Sequence, residues 1–220
     1  METLVTKKVS IVLRLVMEAK ERILEKAHEL FHRYGIRSVS MDDIAAQLGM
    51  SKKTVYQYYV DKDELVNAVF DAELNANKDQ CLACTKMGEN AIHEVFLSFD
   101  MVEELLKTMN PSMLFDMQKY HPSAYKKFDD FRNQFLFKII KGNLERGVKE
   151  ELYRADIDTD ILSRYRLYSI LLSFDPDVFP SNKTNLVKIE QQLIEHFLYG
   201  LATAKGEKLI QKYKQQRTKK

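Results

Sequence analysis

Between residues 40 and 65 the chain reads SMDDIAAQLGMSKKTVYQYYVDKDEL, and three residues that start helices, Ser40, Ser51 and Asp61, stand in it ten or eleven positions apart. Ser40 has Asp43 three residues on, the spacing of a capping box, and Asp61 has Glu64 at the matching place. Gly49, between the first two starts, is suited to the left-handed backbone that ends a helix. No strand and no single long helix can carry so many breaks. The stretch therefore predicts two short helices joined by a tight turn through Gly49, Met50 and Ser51, a helix-turn-helix, with a further helix opening at Asp61. Upstream, Ile23, Leu24, Ala27, Leu30, Phe31 and Tyr34 recur on one helical face, and Gly35 supplies the stop.

The remainder also reads as helix. Seven Gly and four Pro in 220 residues are about half the usual share, and no period-two alternation marks a strand. Amphipathic runs end before Pro111 and Pro122, resume through Tyr125, Phe128, Phe131, Phe135, Ile139, Ile140 and Leu144, restart after Asp158, cross a two-proline loop at 174–183, and close in a last helix or pair of helices. The expected fold class is all-α: a three-helix N-terminal head carrying the helix-turn-helix, followed by a helical domain. The expected divisions are 1–17, an N-terminal arm or extension; 18–64, the helix-turn-helix domain; 65–205, a helical domain; and 206–220, a basic tail expected to fray. The arm is read as helical and not as a signal peptide, because Arg14 interrupts its apolar run and no small-residue cleavage site follows. Met17, which opens a good helix start of its own, is an alternative point of initiation.

Several function classes fall away. Net charge is only +2, and residues 18–70 hold eight Lys/Arg against nine Asp/Glu, so bulk charge does not announce a nucleic-acid partner. No run of about 18 apolar residues indicates a membrane span, and the chain is expected in the cytoplasm. No nucleophile elbow, phosphate loop, HExxH or dinucleotide fingerprint occurs, so neither an enzyme nor a cofactor is expected. Cys81 and Cys84 share a helical face, but a zinc site needs two more ligands and the histidines are scattered, so no metal is expected; a thiol switch on this pair is the alternative mode of regulation, and a bound protein partner another.

The chemistry concentrates on the helix opening at Lys52. Val55 and Tyr59, four apart, turn inward, which leaves Lys52, Lys53, Thr54, Tyr56, Gln57 and Tyr58 outward. Lysines there can reach base edges, and tyrosine hydroxyls can donate to phosphate oxygens. From Ile23 to Leu65 the chain resembles the DNA-binding domain of the tetracycline-repressor (TetR) family of bacterial transcription regulators, through Ala27, Phe31, Gly35, VSMDDIA, Leu48-Gly49, TVYQYY and DKDEL. That resemblance implies base contacts from Lys52, Lys53, Thr54 and Gln57, and phosphate contacts from Ser40, Tyr56, Tyr58 and Lys62. Lys53 stands where many relatives have Gly or Pro, and Asp42 where some have a basic residue, so the operator sequence cannot be borrowed.

The resemblance further implies a homodimer on a palindromic double-stranded operator, joined by the last two long helices, and release by a small-molecule effector. The apolar residues expected at that interface are Leu162, Leu167, Leu171, Leu193, Ile194, Phe197, Leu198 and Leu201; the competing expectation is that they fill the monomer's own core. Phe96, Phe99, Met113, Phe115, Phe135 and Tyr168 are the expected lining of the effector cavity, again against plain core. Repression is the family default.

Overall fold

The computed structural model describes residues 4–175, 177–180 and 185–218. Residues 1–3 of the expected arm, Pro176 and residues 181–183 of the expected loop, and residues 219–220 of the expected tail lie outside the described residues. Among the described residues the chain forms eleven α-helices, one π-type segment at Phe131–Leu136, and no strand beyond an isolated bridge between Tyr153 and Ala202. The helices are α1 (Leu4–Tyr34), α2 (Met41–Leu48), α3 (Lys52–Tyr58), α4 (Lys62–Met87), α5 (Ala91–Thr108), α6 (Met113–Tyr120), α7 (Pro122–Asp130), α8 (Phe137–Lys149), α9 (Thr159–Leu172), α10 (Leu186–Leu201) and α11 (Ala204–Thr218). The expected boundary at residue 17 thus falls inside α1. Pro122, expected as a stop, begins α7, where its missing N–H costs nothing.

The chain divides into two compact units, Met1–Glu73 with Ser112–Tyr125, and Leu74–Pro111 with Lys126–Lys220. Residues 112–125 were expected in the C-terminal half, and specific polar contacts account for their place in the first unit. The Arg37 backbone N–H donates to the buried Asp116 carboxylate at 3.1 Å, and the His121 ring hydrogen-bonds Asp63. In the same unit α1 packs on α2, and α2 on α3. Ile23, Ala27, Leu30 and Phe31 of α1 are buried as their periodicity predicts. Tyr34 is not; it lies 47 % exposed, with the Arg33 guanidinium 5.2 Å from its ring centre. At the start of α4 the Asp61 carboxylate accepts the Glu64 N–H at 2.8 Å, and Glu64 reaches back to accept the Val60 N–H at 2.6 Å.

The second unit has its own core, built from Ile92, Phe96 and Phe99 of α5, Leu144 of α8, Leu152 and Tyr153 of the following turn, Ile194, Phe197, Leu198 and Leu201 of α10, and Ile210 and Tyr213 of α11. Ile210 and Tyr213 hold residues 206–218, expected as a fraying tail, in the helix α11. They bury a third-turn apolar stripe in an otherwise basic helix, and the Tyr213 hydroxyl is in hydrogen-bond contact with Asn90 at 2.9 Å. The break between α10 and α11 is set at Thr203, whose N–H donates to the Leu152 carbonyl and whose hydroxyl accepts the Gly206 N–H. Several buried polar groups in this unit are partnered in the way burial requires, although Arg132 Nε and Glu190 Oε1 have no hydrogen-bond partner. The Tyr153 hydroxyl donates to Asn143, Asn143 donates to the Ala91 carbonyl, and buried Glu94 pairs with Arg146 at 3.3 Å.

A candidate nucleic-acid interface on the helix-turn-helix

Short helices of eight and seven residues are not stable alone, so their ends and one buried face each must hold them. At α2 the Ser40 hydroxyl accepts the Asp43 N–H at 3.1 Å while the Asp43 carboxylate accepts the Ser40 N–H at 2.8 Å, the reciprocal capping box. These bonds, together with one from the Ser40 hydroxyl at 2.6 Å, hold the Asp43 carboxyl below its ordinary pKa. Gly49 closes α2 at φ +64°, and the Met50 N–H returns to the Ala45 carbonyl at 2.9 Å. Ser51 then caps α3 by accepting the Thr54 N–H at 3.1 Å. Ile44, Ala45, Val55 and Tyr59 are buried.

With Val55 and Tyr59 fixed inward, helical geometry turns the rest of α3 to the surface. Lys52, Lys53, Tyr56 and Gln57 are exposed; Thr54 and Tyr58 are partly so. Three details modify the expected roles. The Lys52 ammonium is paired with Asp42 of α2 at 2.9 Å, which raises its pKa and offers a local competitor to any base edge. The Ser40 hydroxyl gives its proton to Asp43, so a bond from it to a phosphate must displace that partner. Lys62 is half-buried at the start of α4; desolvation lowers its pKa, and Asp116 and Asp43 are the charges that oppose the shift. All eight residues expected at the DNA lie on α2's cap, on α3 or at the start of α4, within the first unit.

A capped helix pair with its second helix anchored on one side and polar on the other defines a helix-turn-helix DNA-binding head. Residues 23–69 match the family described as bacterial regulatory proteins, tetR family. The helix-turn-helix regulator YvaF of Bacillus subtilis, itself uncharacterised, is 26% identical over 184 residues, 82% of this chain and 94% of that one. Among solved structures, a TetR regulator from Chloroflexus aurantiacus superposes with a TM-score of 0.68 at 15% identity, covering 87% of this chain and 100% of that one. A transcriptional regulator from Saccharomonospora viridis, solved with choline, gives 0.67 at 20% identity over 85% and 99%. Residues 23–69 are therefore a DNA-binding domain of the tetR family, and the chain as a whole shares the fold of the solved TetR regulators. No helix among the described residues is long and apolar enough to cross a membrane.

The other expected sites fare differently. Of the eight residues expected at a dimer interface, Leu167, Ile194, Phe197, Leu198 and Leu201 are buried within the chain itself. Leu162 packs on the main core of the second unit and Leu193 on a smaller cluster around Leu106, Leu186 and Ile189; Leu171 is half-buried. They fill the monomer. The apolar residues that α9 leaves in solvent are Ile161, Tyr165, Tyr168 and Leu172, at offsets of four, three and four. Sequence reading passed over Ile161, Tyr165 and Leu172 and assigned Tyr168 to the effector cavity, because Leu162, Leu167 and Leu171 form a competing stripe on the same helix.

The residues of the expected effector lining are shared between the two units. Met113 and Phe115 belong to the first unit and the other four to the second. Phe96 and Phe99 are core, Phe135 stacks on Phe131 with ring centres 5.3 Å apart, and Phe115 and Tyr168 are 55 % and 60 % exposed. The second unit does hold a cleft of about 670 Å³, but Asp100, Glu103, Glu104, Lys107, Gln191, Glu195, Lys214 and Arg217 line it. Ion pairs of Arg217 with Asp100 and Glu103, and of Lys214 with Glu195, cross it. Burial pushes the Cys81 thiol up to about 11 and raises that of Cys84, which disfavours the thiolates a peroxide switch needs at neutral pH.

Proposed function

We propose that this regulator is a homodimeric repressor, acting in the cytoplasm, that binds a palindromic operator through α3 of each subunit and is released by a small-molecule effector held in its C-terminal unit. The observation that carries the DNA-binding part is the division of α3. Ser51, Val55 and Tyr59 fix it, and Lys53, Tyr56 and Gln57 extend from the opposite side into solvent. Lys53 and Gln57 are the base readers in this reading, with Lys52 joining them when it leaves Asp42, while Tyr56, Tyr58 and Lys62 take phosphates.

One recognition helix reads only a few base pairs, so a palindrome read by two is the natural site. The second subunit is supported by α9. That helix buries Ser163, Arg166 and Ser169 while exposing Ile161, Tyr165, Tyr168 and Leu172, an inversion of the usual distribution that a second copy covering the outer face resolves. The effector part draws on the regulator of the same fold solved with choline.

The test is fluorescence anisotropy with DNA from upstream of the protein's own gene, at low salt. Binding should weaken steeply with salt, because phosphate contacts release counterions. Lys62→Ala and Tyr56→Phe should weaken all sequences alike, with the Lys62 change lowering the salt slope by about one. Lys53→Ala should also alter the sequence preference. A monomer indifferent to that DNA in the absence of small molecules would overturn the reading.

A further inference from the structure

His28 and His32 stand four residues apart on α1, so both rings project from one face, and Glu73 of α4 meets them. The His32 Nε2 lies 3.2 Å from Glu73 Oε2 and the His28 Nε2 3.9 Å from the same oxygen; the two ring centres are 4.1 Å apart. One ligand atom from each residue lies within 4.8 Å of the others. Two imidazole nitrogens and a carboxylate oxygen at such spacing are the donor set of a three-ligand zinc centre, needing only small rotations to bring each to about 2.0–2.2 Å from an ion.

Burial fits the same use. His32 and Glu73 side chains are nearly enclosed, whereas His28 is 44 % exposed and leaves a way in. The buried His32 Nδ1 has no hydrogen-bond partner, so all of that ring's polar engagement is directed at Glu73 and His28.

We propose that His28, His32 and Glu73 bind one Zn²⁺ per chain, with a fourth position open to water, and that the ion clamps α1 to α4 inside the first unit. No proton-transfer or hydrolytic step is assigned to it. The site is independent of the α3 surface, so its failure would leave the DNA-binding reading untouched.

The experiment uses the untagged, EDTA-dialysed full chain titrated with Co²⁺, whose visible absorption reports low-coordinate nitrogen and oxygen ligation. One Co²⁺ per chain should bind, Zn²⁺ should displace it, and Zn²⁺ should raise the melting temperature. His28→Asn and Glu73→Gln, both at positions that tolerate a polar replacement, should each lower affinity at least about tenfold, the loss seen when even an outer partner of a metal ligand is removed. Circular dichroism confirms that they fold. Cys81→Ser/Cys84→Ser should bind Co²⁺ as the parent does. Absence of Co²⁺ absorption, its survival in both the His28 and Glu73 variants, or its loss in the cysteine variant would each overturn the proposal.

Discussion

Replacing Gly49 isolates what the turn of the helix-turn-helix demands. The residue sits at φ +64° and ψ 26°, and its N–H reaches the Ala45 and Ala46 carbonyls. A Cβ built there meets nothing within 4 Å, so no steric clash enters and the cost is one of backbone conformation alone. Holding an L-residue in the left-handed region costs about 1–2 kcal/mol. Removing glycine from the unfolded chain returns about 0.4–1 kcal/mol, so Gly49→Ala should cost on the order of 1 kcal/mol net. Gly49→Val, stiff at its branched Cβ, belongs at the top of the range, about 2 kcal/mol. Asn visits this region readily, and Gly49→Asn should cost least. In a unit of this size each kcal/mol moves the melting point by about 4–8 °C. Urea unfolding of the full chain followed by circular dichroism should rank the variants Asn, Ala, Val in rising cost, with operator affinity falling in the same order. Equal costs for all three, or a valine variant as stable as the parent, would refute the argument that a left-handed turn residue fixes the placement of α3.

In the second unit, Gly147→Ala would set a Cβ 2.0 Å from the ring of Tyr153, which is fully buried and bonded to Asn143; a loss of about 3 kcal/mol is expected, while Gly142→Ala, whose Cβ meets nothing, should stabilise α8 slightly in the same melt. On the outer face of α9, Ile161→Lys with Tyr165→Lys should give a helical monomer by light scattering, whereas Leu167→Lys should unfold the unit, because only the latter is buried. Cys81 predicts an alkaline effect. Its folded pKa of about 11 exceeds the ordinary 9.0, so the stability it contributes is whole below pH 9 and is lost as pH rises towards 11; Cys81→Ala should flatten that loss in denaturant titrations across the range.

The N-terminal head was legible because its determinants are local. Ser40 with Asp43, Ser51 with Thr54 and Asp61 with Glu64 each act over three residues, and their spacing alone locates the helices. What depends on distant partners was not. Leu198 and Ile161 are both apolar residues at helical spacing; only tertiary packing buries the first completely and leaves the second in solvent. The reversal on α9 was hidden because Arg166, of a residue type that is mostly exposed, is buried against Glu190 at 3.3 Å. Residues 206–218 looked like a tail because Lys and Arg outnumber their two buried anchors, Ile210 and Tyr213. The allotment of residues 112–125 rests on Asp116 and His121 meeting residues many tens of positions away. His28 and His32 carried a visible four-residue spacing, but nothing local linked them to Glu73.

The separation of duties within α3 has an evolutionary corollary. Because folding is secured from one side by Ser51, Val55 and Tyr59, the side chains at 53, 56 and 57 are free to drift without endangering the scaffold. New binding-site preferences can then arise by single substitutions at 53 and 57, the proposed base readers, and an engineer could retarget the protein by rewriting two codons.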